Sequence, residues 1–79
     1  MARVLMFGAL AEAAGWRARD IEVGSLDGLR TLLAAEDGRL GERLSGPGVC
    51  AVLNTEMVRG DRPLKADDEV AFIPPVSGG

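Results

Sequence analysis

The chain has no histidine, no tyrosine and a single cysteine, Cys50, among its 79 residues. Ser-His and Cys-His nucleophilic pairs are therefore excluded, as are metal sites built on imidazole. One cysteine also rules out a framework of intrachain disulfides. Lys and Arg are few and never clustered. Nine basic residues against twelve acidic ones give a formal net charge of −3 and a pI near 4.8. Nucleic acid and anionic membrane are poor partners for such a surface. No apolar run approaches the roughly 20 residues that a membrane span needs. Met1-Ala-Arg-Val4 opens a strand and not a signal peptide, so a cytoplasmic location is expected. If chemistry happens on this chain, the usual side chains are not its agents.

What is present is enough for one domain with a core, since 47% of the residues are hydrophobic. Arg3 to Phe7 is nearly all apolar, as in a strand inside a sheet. Ala9 to Ala14 read as a short Ala-rich helix stopped by Gly15, with Trp16 packed against it. Arg19 to Val23 alternate with period two, Ile21 and Val23 pointing inward. Ser25 is an N-cap for a helix whose Leu26, Leu29, Leu32 and Leu33 make one apolar stripe ending near Glu36. Arg39 to Leu44 add one more turn.

Ser45-Gly-Pro-Gly48 is a turn and not a phosphate loop, since it lacks the Lys-Ser/Thr ending and precedes a strand. Val49 to Leu53 form that strand, with Cys50 expected as a small buried hydrophobe. Asn54-Thr55 turn the chain into a short strand, Glu56 to Val58. An ordered loop with Pro63-Leu64 pinned beneath it leads to Glu69. Asp67, Asp68 and Glu69 read as a solvated turn, and no metal site is expected there.

The last stretch organises the others. Glu69 to Ile73 is a strand, and Pro74-Pro75 end it, because proline cannot donate to a ladder and fixes φ near −65°. Val76, Ser77, Gly78 and Gly79 follow as a thin tail expected to bear a free carboxylate. At about 3.3 Å per extended residue these four span roughly 13 Å. Glycines without Cβ fit a channel only as wide as a backbone and leave the last carbonyl open to attack. The order of elements predicts a two-layer α+β domain, with four or five short strands over one principal helix. The first and last strands are expected as central neighbours, the second antiparallel beside the first. Alternation puts Val4, Met6, Val70 and Phe72 toward the helix. Phe7, Met57 and Ile73 are left to form an exposed apolar patch at the foot of the tail, a pattern of interaction sites.

This arrangement resembles the ubiquitin-like β-grasp sulfur carriers, and most closely the family of molybdopterin synthase small subunits. The resemblance covers essentially the whole chain. Its most specific stretch is Asp68-Glu-Val-Ala-Phe-Ile-Pro-Pro-Val-Ser-Gly-Gly79, supported by Val4 to Phe7, Leu53-Asn54, Met57-Val58 and Pro63-Leu64. The family usually has Gly where this chain has Asp67 or Asp68, a departure expected to touch only a connector. The resemblance implies a β-grasp domain over residues 1–75 and a functional tail over 76–79. It implies that the Gly79 carboxylate is adenylated by a ubiquitin-activating-like adenylyltransferase using ATP, with no cofactor bound by this chain. The adenylate becomes a thiocarboxylate, which donates sulfur to cyclic pyranopterin monophosphate inside the large subunit of molybdopterin synthase. Catalytic side chains are expected on that subunit. Phe7, Met57, Ile73, Pro74 and Pro75 would meet both partners in turn. A carrier for thiamine thiazole or tRNA thiolation shares this chemistry, a ubiquitin-type modifier shares the activation, and a plain β-grasp binding module shares the fold.

Overall fold

In the computed structural model, which describes residues 1–75, the eight elements follow one another with short connections. They are β1 (Ala2–Met6), α1 (Gly8–Ala14), β2 (Ala18–Ile21), α2 (Leu26–Glu36), α3 (Gly38–Leu44), β3 (Cys50–Leu53), β4 (Glu56–Val58) and β5 (Glu69–Ile73). The strands form one mixed sheet in the order β2-β1-β5-β3-β4. β5 is its centre, parallel to β1 and antiparallel to β3, while β2 and β4 pair antiparallel at the two edges. Strand number is therefore five. The expected placing of the first and last strands as central neighbours holds.

One face of the sheet carries the core. Met6, Phe72, Ala51 and Val58 stand side by side across four strands, and Val4 and Val70 form the next row. Leu26, Leu29 and Leu33 of α2 close over them, and Phe72, Val4 and Val70 lose all contact with solvent. A buried Phe of this kind holds about 3–5 kcal/mol against truncation to Ala. Helix α2 starts where expected: the Ser25 side chain accepts from Gly28 N at 2.9 Å, and Asp61 Oδ1 accepts from Asp27 N at 2.9 Å. The loop after β4 is stitched to that helix start, with Leu26 N donating to Arg62 O and Leu64 N to Gly24 O. Leu64 is buried as a result.

Several boundaries and roles differ from the sequence reading. Phe7 keeps an extended backbone but caps α1, so β1 ends at Met6. β2 begins at Ala18 and stops at Ile21, and Val23 packs against the core from the loop. The principal helix is not alone. Asp37 accepts from Arg39 N and Leu40 N and so starts a true second helix, α3, where one extra turn was expected. Helix α3 lies close against α2 at Gly41, which is buried. Cys50 is half-buried instead of buried, because Ala51 takes the core position and the thiol lies toward the other face, 3.7 Å from the Gly48 carbonyl. Trp16 does pack on the core edge, with the Arg19 guanidinium 5.2 Å from its ring centroid and bound in turn to Glu36.

The turn before β5 is more than a connector. Asp68 accepts from Lys65 N at 2.7 Å and from Asn54 Nδ2 at 2.8 Å, while Asn54 Oδ1 accepts from Glu69 N at 2.9 Å. Asn54 holds φ +48°, a left-handed conformation that Asn tolerates. These bonds lock the β3–β4 hairpin to the start of the central strand. The Lys65 N–H, then the Asn54 amide, hold the Asp68 carboxyl below its ordinary value.

Two predictions follow from this packing. A Cβ at position 41 would sit 2.5 Å from Ala34 Cβ and 2.8 Å from Ala34 Cα. Gly41→Ala should therefore destabilise by about 1–3 kcal/mol in urea unfolding, although helix propensity alone favours Ala by about 1 kcal/mol. Gly38→Ala, where a Cβ meets nothing within 4 Å, should not. For Asp68 the folded-state pKa lies below the unfolded one, so its contribution is present above the unfolded value of 3.8 and is lost as pH falls through the folded value. Asp68→Asn should be less stable than wild type at pH 7, and urea midpoints should converge as pH drops below that value.

Candidate functional site

Among the described residues no layer covers the face of the sheet opposite the helices. Leu5 stands beside Ala71, Ala71 beside Val52, and Val52 beside Met57, an apolar row crossing four strands. Phe7 keeps φ −122° and ψ 150°, so alternation continues past the end of β1 and sets it on the same face as Leu5. Ile73 lies on that face too, paired with Cys50 of β3. Phe7, Met57 and Ile73 are 47%, 63% and 37% exposed, and with Met1 they are the large hydrophobic side chains most open to solvent among the described residues. The three residues expected at a docking patch are thus exposed on one face. Leu5, Ala71 and Val52 join them, and they were legible by the same parity, since each is an even number of residues from a patch member or its cross-strand partner.

The end of β5 is built by its neighbours. Phe7 N donates to the Phe72 carbonyl at 3.3 Å, the final ladder bond of the β1 side. A parallel ladder would next bring the N–H of residue 74 to the Phe7 carbonyl. Residue 74 is proline and has no N–H. The Phe7 carbonyl instead accepts from Leu10 N at 3.1 Å and Ala11 N at 3.4 Å, and so opens helix α1. The strand ends and the helix begins at the same oxygen.

Two glycines flank the proline pair. The register that sets Met6 beside Phe72 brings Gly8 beside Pro74, and the register that sets Cys50 beside Ile73 brings Gly48 beside Pro75. Both glycines have positive φ, +54° and +82°. A Cβ on Gly8 would lie 3.1 Å from Pro74 Cγ, and one on Gly48 would lie 2.7 Å from Pro75 Cβ. Pro74 is half-buried there and Pro75 exposed. On the helical side a groove of about 340 Å³ borders the same prolines, walled by Leu10, Val49 and Arg43 among others. The exit is therefore apolar on the outer face and carries one cation on the helical side. Val76, Ser77, Gly78 and Gly79, the expected tail, lie outside the described residues.

Among the described residues no group of three or more His, Cys, Asp or Glu side chains is arranged to hold a metal ion. Asp68, one of the three adjacent acids, spends its oxygens on Asn54 and Lys65. Among the described residues no helix is long and apolar enough to cross a membrane.

Comparison with known proteins agrees with this geometry. The chain is 36% identical over 81 residues to the molybdopterin synthase sulfur carrier subunit of Escherichia coli, all of each chain being covered. Its structure is similar to that of small archaeal modifier protein 1 from Haloferax volcanii, with a TM-score of 0.86 and 28% identity over 99% of this chain and 98% of the other. It is also similar to a chain in the complex of subunits 1 and 2 of molybdopterin-converting factor from Helicobacter pylori, with a TM-score of 0.69 and 30% identity over 99% and 97% of the two chains. Those neighbours share the ubiquitin-like β-grasp arrangement of a mixed five-stranded sheet and helices. The model of the ThiS family matches residues 4–79, the apolar first strand, the helical layer, the central fifth strand and the Gly-Gly ending together, and the chain belongs to that family.

Proposed function

We propose that this chain carries sulfur for molybdopterin synthesis on the carboxyl group of Gly79. The observation that carries the reading is the course of β5. The strand at the centre of the sheet presents Ile73 on an exposed apolar face and then runs directly into the Pro74-Pro75 exit toward Gly78-Gly79. A rigid body with a docking face and an adjacent backbone-thin tail suits delivery of a terminal group into another protein's pocket. The full-length likeness to the E. coli carrier subunit supports the choice of pathway.

The chemistry asks little of the side chains. A carboxylate is a poor electrophile. Attack of one Gly79 oxygen on the α-phosphorus of ATP, catalysed by a ubiquitin-activating-like adenylyltransferase, releases pyrophosphate and leaves a mixed anhydride with AMP. A sulfur nucleophile displaces AMP to give the thiocarboxylate. Inside the large synthase subunit that sulfur bonds to a carbon of the pyranopterin precursor as a carbon–oxygen bond there breaks and the oxygen leaves as water, and water then cleaves the acyl–sulfur bond, leaving a thiol on the pterin and restoring the carboxylate. Two rounds supply the two sulfurs of the dithiolene. Enclosure removes water from the soft anion and holds it against its target, and both raise the rate. The known complex of subunits 1 and 2 from H. pylori supports a large-subunit partner of this kind.

The face bearing Phe7, Met57 and Ile73 serves both encounters, so the adenylyltransferase and the large subunit compete for one carrier. Pro74 and Pro75 border that face and keep the root of the tail at its edge.

One observation favours a second reading. The likeness to small archaeal modifier protein 1 fits a chain that is activated in the same way and then joined through Gly79 to a lysine amine. The two readings part at the product.

Incubation with the adenylyltransferase, ATP and a sulfur source should add the mass of one oxygen-to-sulfur exchange at Gly79, read by intact mass spectrometry. Deletion of Gly79 should abolish it. Lysine-linked adducts without that exchange would establish the modifier instead. Ile73→Asp, at a position 37% exposed, should leave unfolding nearly unchanged. It should weaken binding to both partners at least tenfold, about 1.4 kcal/mol, by titration calorimetry; normal binding to both would remove the shared docking face.

A further inference from the structure

We propose that Gly8 and Gly48 are positioning residues that aim the chain as it leaves Pro75. The consequence for transfer rests on the carrier reading above; the aiming itself does not. Proline rings are stiff, so contacts on Pro74 and Pro75 fix direction where contacts on a flexible side chain would not. Gly8 reaches Pro74 from the extension of β1, and Gly48 reaches Pro75 from the extension of β3. The prolines are therefore approached from both strands that flank β5. At Gly48 the missing atom would lie 2.7 Å from Pro75 Cβ, closer than a real Cβ comes without displacement, and at Gly8 it would lie 3.1 Å from Pro74 Cγ, so the ring edge would have to give by a few tenths of an ångström. At both positions the backbone also sits at positive φ, which turns the neighbouring chain away just after the contact.

A change of direction at Pro75 grows with distance from it. For any four residues drawn out fully, about 13 Å at about 3.3 Å each, a tilt of about 10° at the root moves the far end by roughly 2 Å. Displacements of about 1 Å at a reacting group can cost on the order of 100-fold in rate. A methyl at position 48 cannot be absorbed by a rotamer change, because it meets Pro75 Cβ and lies 3.7 Å from Pro75 Cα. Either the proline or the turn before β3 must move. Both outcomes change the exit.

Gly48→Ala tests this, with Gly15→Ala as its control. Gly15 also sits at positive φ, +83°, but a Cβ there meets nothing within 4 Å, so it carries the same backbone strain without the contact. The measurement is the distance distribution between spin labels at Ser77→Cys and Ala35→Cys, in a Cys50→Ser background. Gly48→Ala should shift the mean by roughly 1 Å, the displacement that a tilt of about 10° gives two extended residues past Pro75, or broaden the distribution, while Gly15→Ala leaves it unchanged. With unlabelled chains, Gly48→Ala should lower kcat for sulfur transfer at least tenfold and leave KM for the large subunit within twofold. An unchanged distribution in folded Gly48→Ala overturns the proposal, as does an equal shift in Gly15→Ala. Should Gly48→Ala not fold, Gly8→Ala makes the same measurement, its methyl meeting only the edge of the Pro74 ring. If the wild-type chain accepts no sulfur, the carrier reading fails while the distances still decide the aiming.

Discussion

The pairing of β5 on both sides is the constraint on which the rest depends. Val70 and Phe72 are inaccessible because β1 and β3 flank them and α2 closes over them. That burial fixes the register, since a slip of one residue would turn both core side chains to the open face. Once register is fixed, everything at the end of the strand is fixed with it. Ile73 must face outward, Pro74 must meet Gly8, and Pro75 must meet Gly48. The position from which a tail departs is set by hydrophobic packing three residues earlier. At the other end of β5, Asp68 and Asn54 tie the strand to the β3–β4 hairpin through side-chain hydrogen bonds.

This division explains a chain with so few reactive side chains. Buried polar side chains are absent among the described residues, and the core is built of aliphatic residues with one methionine, Met6, and one phenylalanine, Phe72. Among the described residues three exposed ion pairs form, Arg3 with Asp20, Arg19 with Glu36 and Arg30 with Asp27. Such pairs add little to stability. The outer face of the sheet is apolar, which suits the proposed docking to a partner.

Much of this was legible because it is local. Ser25 announced its helix through a capping geometry that needs only three residues. Leu26, Leu29 and Leu33 declared a buried stripe, and the apolar runs of β1 and β5 declared themselves central. Errors arose where one residue serves two elements. Asp37 reads as a stop for α2, yet its side chain starts α3. Asp68 reads as turn filler, yet it bonds across to Asn54. Cys50 reads as buried from its residue type, although strand parity with Ala51 assigns it to the other face. Gly8 and Gly48 carry no local signal of their partners. Their contacts with the prolines exist only once three strands are side by side, so no spacing in the sequence reveals them.

The Phe7 carbonyl has a consequence for where the sheet can end. It accepts from the first turn of α1 because Pro74 brings no competing donor. Any other residue there would offer an N–H to an oxygen already in line with the parallel ladder. The sheet could then zip forward, drawing the chain inward and unwinding the start of the helix that opens on that oxygen. Pro74 thus works as a ratchet stop on the β1 side, denying the sheet its next rung.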